Sequence, residues 1–211
     1  MDTIRKKSLP EVAARTASIV FHPLFMPLFG LLMIFTAPTL FWYIPVKAKE
    51  ILFFIFIVNN VLIPISLMPF FRYRNLVSSW YIENRSERTL PLFAVSLLYA
   101  VTSFILYRLQ IPVFFKAYAF SLTMLSLSLL FVNRRWKISL HSAGAGALIA
   151  VVLVLSIRMS APLPFYLAGS VLIGGLILSS RLKLDKHNPY EVYAGFFAGL
   201  VIPAVLMLIF Q

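Results

Sequence analysis

His187 stands in the segment Ser180-Arg181-Leu182-Lys183-Leu184-Asp185-Lys186-His187-Asn188-Pro189-Tyr190-Glu191, between two apolar runs. Asparagine is a favoured helix cap and proline a favoured first helical residue, so a helix is predicted to start at Asn188-Pro189. His187 then sits just before a helix N-terminus, where free amides and the positive end of the dipole suit an anion. His141 repeats the arrangement in Ser139-Leu140-His141-Ser142-Ala143-Gly144, with Ser139 as the predicted cap. A third polar segment, Glu83-Asn84-Arg85-Ser86-Glu87-Arg88-Thr89-Leu90-Pro91, precedes another apolar run. Arg85 and Arg88 are three residues apart and share a face on a helical turn. Their planar guanidinium forks match phosphate oxygens in a bidentate way. Two histidines at helix starts, beside arginines suited to phosphate, point to chemistry on a phosphorylated substrate.

The elements that must position these residues are membrane helices. Of 211 residues, 61% are hydrophobic and only 12% charged, against about a quarter charged in soluble domains. A span needs roughly 20 apolar residues, because its backbone must bond within the segment. Apolar runs at 17–45, 49–71, 91–108, 112–132, 139–158, 162–179 and 190–210 predict an all-α bundle of six or seven spans. Residues 1–16 are predicted as a polar basic tail and 17–211 as one transmembrane domain. The first run holds Pro23 and Pro27, and reads as a kinked span or a re-entrant element. It is long and lacks a small-residue cleavage site, so it is expected to be retained and not removed as a signal peptide. Trp42 and Tyr43 at its end suit a membrane interface.

With seven spans, the tail and the loops 72–90, 133–138 and 180–189 share one side, which carries fourteen of the nineteen Lys and Arg residues. That bias predicts a cytoplasmic placement. The net charge of +12 sits in loops between apolar runs. It therefore suits anionic membrane lipids or a phosphorylated substrate rather than nucleic acid. Small residues, Gly144 and Gly146 in one span and Gly195 and Gly199 in another, let those helices approach closely and bring His141 and His187 to one substrate. The chain has no cysteine, and its seven acidic residues (Asp2, Glu11, Glu50, Glu83, Glu87, Asp185, Glu191) make no Mg²⁺ cluster.

These segments resemble the type 2 phosphatidic acid phosphatase superfamily of lipid phosphate phosphatases, whose signatures are K-x6-R-P, P-S-G-H and S-R-x5-H-x3-D. Ser180-Arg181, five residues, His187 and then Glu191 match the third, with glutamate in place of aspartate. Ser139 and His141 keep two positions of the second, where Ile138 and Leu140 replace proline and glycine. Arg88 and Pro91 approximate the end of the first, without its lysine. The resemblance covers roughly residues 72–211.

It implies a phosphatase core that needs no metal or cofactor and sits in a bacterial cytoplasmic membrane. It further implies that His187 attacks phosphorus to form a phosphohistidine, with Glu191 holding its imidazole. His141 would protonate the leaving oxygen and then activate water. Arg181, with Arg85 or Arg88 and with Ser139, would stabilise charge on the phosphoryl oxygens.

Plainer readings stand beside these. His187 and Arg181 also fit an ordinary basic loop, His141 a bond to a neighbouring helix, and Arg85 and Arg88 a headgroup anchor paired with Glu83 and Glu87. His22, before a proline in an apolar run, reads as structural. A relative that has lost activity and binds or translocates a phosphorylated lipid is the second function hypothesis. A prenyl transferase is set aside, because Asp2 and Asp185 are too far apart for an aspartate-rich diphosphate site.

Overall fold

A computed structural model describes residues 9–79, 82 and 84–210. The basic residues Arg5, Lys6 and Lys7 and the carboxylate Glu83 lie outside the described residues. Among these residues the chain is an all-α helical bundle. Six helices are long and apolar enough to cross a membrane, and a bent pair is either a seventh, broken span or a re-entrant element. The protein is thus an integral membrane protein.

The bent pair is α1 (Leu9–Val20), a short 3₁₀ turn at Pro23–Phe25 and α2 (Met26–Thr36). Its two arms meet at 41°. Pro23 and Pro27 have no backbone N–H to give to the preceding turn, so the ladder breaks where they stand. The expected kink is therefore present, but its boundary is not where the sequence put it. Residues 9–16, expected as tail, form the first turns of α1. Ala14 and Ala17 are buried, and their small side chains let α1 lie along α8. The interspersed polar residues had hidden that helical period. After α2, a 3₁₀ turn at Leu40–Tyr43 presents exposed Trp42 and Tyr43 as a suitable interfacial anchor.

The second span runs from Val46 to Tyr73 as α3 (Val46–Ile57), a π-helical turn (Val58–Leu62) and α4 (Ile63–Tyr73). Ile63 N–H bonds Val58 O, five residues back. The next residue is Pro64, which cannot donate to Asn60, and the wider turn absorbs that defect. The remaining spans are α5 (Arg85–Arg108), α6 (Val113–Asn133), α7 (Leu140–Arg158), α8 (Pro164–Lys183) and α9 (Pro189–Ile209).

The most enclosed of these is α7, which packs against α9, α8 and α2. Its contact with α9 is a glycine contact. A Cβ on Gly146 would fall 2.1 Å from Phe196 O, and one on Gly199 would fall 1.9 Å from Ala143 O. The two backbones therefore touch, as the small-residue pattern predicted. The same contact draws the N-termini of α7 and α9 together: Ser139 N–H donates to Glu191 O at 3.2 Å.

Candidate active site

The last turn of α8, the turn after it and the first turn of α9 form one side of the site. Asp185 takes a left-handed conformation (φ 49°) and its N–H bonds Leu182 O, ending α8. Three residues later Asn188 caps α9, its Oδ1 accepting Glu191 N–H at 2.9 Å, with Pro189 next to it. This tight reversal leaves His187 over the opening turn of α9. Its Nδ1 lies 2.7 Å from Glu191 Oε2. A carboxylate accepts, so Nδ1 carries the proton and Nε2 keeps the lone pair. The His187 side chain is 2% exposed.

Burial pushes the His187 imidazole below its ordinary value. The Glu191 hydrogen bond opposes that shift, and the charges of Arg181 and Arg88 reinforce it. Neutral imidazole is therefore the form present at neutral pH.

Arg181, in the last turn of α8, is 8% exposed, and its Nε is buried without a hydrogen-bond partner. A buried guanidinium with an unsatisfied donor is costly, and an anion placed against it removes the cost. His141 opens α7, and its Nε2 lies 3.1 Å from Ser18 O. A carbonyl only accepts, so Nε2 carries the proton and Nδ1 is left for proton exchange.

His141, His187, Arg181 and Arg88 all line one cavity of about 920 Å³. Basic and imidazole groups gather at one end. The rest is mostly apolar, with Met68 and Phe71 from α4, Leu92 from α5 and Leu122 and Leu129 from α6. A cavity with a cationic end and an apolar body suits an amphiphile with an anionic head.

Compared with family models, with curated proteins and with solved structures, the chain finds no match. The site is read from its own geometry. Among the described residues no group of three or more His, Asp or Glu side chains is placed to hold a metal ion.

Two residues expected at the site are elsewhere. Arg85 directs its guanidinium to Arg135 O, while its own carbonyl accepts from Asn133 Nδ2 at 3.1 Å. It clamps the start of α5 to the end of α6. Residues three apart differ by about 60° around a helix, enough to send Arg88 to the cavity and Arg85 to the loop. Ser139 is fully buried, and its hydroxyl accepts from Ser142 N–H at 3.4 Å and Ser142 O–H at 2.9 Å. Its hydroxyl serves the cap of α7 and does not face the cavity. Ser139→Ala is accordingly expected to lower stability by about 1 kcal/mol, seen as a lower melting temperature, with turnover changed less than about threefold. A hundredfold loss of turnover at unchanged stability would reassign Ser139 to the substrate.

Arg15, Ser18, His22 and Lys186 are among the residues that join the cavity unforeseen. Three of them lie on the broken first span, and only its bend brings them over α7. The one sequence signal was the shared side, since the start of the chain and the loops holding His141 and His187 fall on the same face of the membrane.

Proposed function

We propose that the protein is an integral membrane phosphatase that hydrolyses a lipid phosphate or diphosphate through a phosphohistidine on His187. It would be a divergent member of the type 2 phosphatidic acid phosphatase superfamily, in a bacterial cytoplasmic membrane. The observation that carries this reading is the His187–Glu191 pair beside buried Arg181, at the cationic end of an otherwise mostly apolar cavity.

The substrate lies with its phosphoryl group against Arg181 and Arg88 and its tail in the apolar body. Glu191 holds Nδ1–H, so Nε2 is the attacking atom. His141 enters this step as the imidazolium, with Nε2–H on Ser18 O and a second proton on Nδ1. As the Nε2–P bond forms, the bond from phosphorus to the lipid oxygen breaks, and the Nδ1 proton passes to that oxygen. Water then attacks phosphorus, losing a proton to His141. The P–N bond breaks, inorganic phosphate leaves and both imidazoles return to their starting forms. Arg181 and Arg88 meet the charge on the equatorial oxygens in both steps.

The test is phosphate release by the detergent-purified protein, without added metal, from phosphatidate, phosphatidylglycerophosphate and a polyprenyl diphosphate. Acid-labile, base-stable phosphoenzyme should appear on quenching. No release from any of the three would sink the reading. Binding without release would favour a lipid-phosphate binder or translocator, a reading supported by the commitment of Ser139 and of His141 Nε2 to protein partners.

A pH profile follows from the lowered His187 value. The nucleophile is active when unprotonated, so kcat/KM should hold as pH falls below about 6.5, then drop as pH passes through the depressed value. The unfolded chain, with an ordinary imidazole, binds the proton first. This group's contribution to stability therefore declines as pH falls below about 6.5 and levels off below the folded-state value. Titrating release and melting temperature between pH 4 and 8 checks both signs.

A further inference from the structure

His22 is the N-cap of the 3₁₀ turn at the break of the first span, and it is exposed to the cavity that holds His141, His187 and Arg181. Its Nδ1 accepts Leu24 N–H at 3.3 Å. An accepting Nδ1 bears no proton, so the neutral ring carries its hydrogen on Nε2. The His22 and His141 rings lie edge to face, 5.4 Å between centroids at 83°. The His141 proton on Nε2 is committed to Ser18 O. Local bonds have thus set two complementary tautomers: His187 keeps a lone pair on Nε2, as a nucleophile needs, and His22 keeps an N–H there. Arg181, 8% exposed with its buried Nε unpartnered, lines the same end of the cavity.

We infer that the broken N-terminal span supplies a further ligand of the phosphoryl group, His22, which donates Nε2–H to a phosphoryl oxygen beside Arg181. This rests on the phosphatase reading for its substrate. It also makes the first span part of the site, although the span lies outside residues 72–211, where the signature resemblance falls. A neutral donor fits here, because it adds a hydrogen bond to the oxyanion without another positive charge next to Arg181 and Arg88.

Two substitutions separate the cap from the donor. His22→Asn keeps an oxygen near the Nδ1 position to cap Leu24 but has no donor at Nε2. His22→Gln carries an amide N–H to the Nε2 position. Binding of inorganic phosphate and of dioctanoyl phosphatidate to the full-length, detergent-purified protein is measured by calorimetry, with melting temperature alongside. His22→Asn should weaken both ligands about tenfold, the size of one hydrogen bond to a charged group, and His22→Gln should stay within about threefold of the parent. Equal losses for the two ligands place the effect on the phosphoryl group; a loss confined to the lipid overturns the assignment. Parental affinity in His22→Asn also overturns it, as does a His22→Gln variant as weak as His22→Asn with a lowered melting temperature. If the parent binds phosphate but hydrolyses no lipid, the phosphatase reading fails while His22 keeps its role. A parent that binds neither ligand overturns both.

Discussion

His187→Ala should reduce phosphate release by about a thousandfold or more and leave no phosphoenzyme to trap, while the protein still binds a lipid phosphate. The size follows from removing the atom that forms the covalent intermediate, a loss that the remaining electrostatic groups do not replace. His187→Gln sharpens the test. It keeps a polar group of similar length against Glu191 but has no nucleophilic lone pair on nitrogen, so it should be equally inactive with less effect on folding. Glu191 is 9% exposed, and removing the imidazole beside it leaves a nearly buried carboxylate without that partner. A lower melting temperature is therefore expected for alanine than for glutamine. A folded glutamine variant with parental turnover would refute the covalent route. Intact turnover with no trapped phosphoenzyme in the parent would point instead to direct attack by water.

The largest structural effect is expected from a single methyl group at Gly199. Its Cβ would sit 1.9 Å from Ala143 O, 2.6 Å from Ala143 C and 2.8 Å from Ala143 Cα. These are backbone atoms, so no side chain can swing aside. Gly199→Ala should force α9 away from α7 and cost about 3 kcal/mol or more, at the upper end of overpacking effects. The site should be lost with the packing, because Glu191 and Ser139 sit at the ends of these two helices and are joined by the Ser139 N–H to Glu191 O bond. Gly175, on α8, is the control. Nothing lies within 4 Å of the Cβ it would gain, so Gly175→Ala should be neutral or slightly stabilising through better helix propensity. Thermal unfolding in detergent reads both. Equal melting temperatures for the two variants would contradict the close packing of α7 on α9.

The spans were legible because a membrane leaves few options: apolar runs of the right length must be helices. The caps were legible too. Asn188 with Pro189, and Ser139, begin the helices they were expected to begin, since capping depends on residues within one turn. The His187–Glu191 contact belongs to the same class, a four-residue spacing across a helix start. What sequence did not reveal depends on direction in space. Arg85 and Arg88 looked equivalent until α5 took a definite rotation against α6. Ser139 looked like a substrate ligand, but its hydroxyl was already used by Ser142. His22 read as structural, and it does cap the 3₁₀ turn; its place beside His141 comes from a 41° bend that its apolar sequence neighbours do not show.

The π-helical turn at Val58–Leu62 acts as a phase shifter. It fits one more residue into a turn than an α-helix holds, so everything after it is rotated by about 100° relative to an uninterrupted helix of the same sequence. Pro64, Leu67, Met68 and Phe71 face the cavity in the rotated phase. Restoring a regular α-helix with every residue retained would leave the span's composition and hydropathy unchanged. It would nevertheless turn that stripe by about 100°, away from the chamber, and bring a different row of side chains to it. The shape of the chamber is therefore written partly in a residue count: with one residue fewer in the turn a regular α-helix would hold the same stripe to the chamber, and with the present count only the wide turn does.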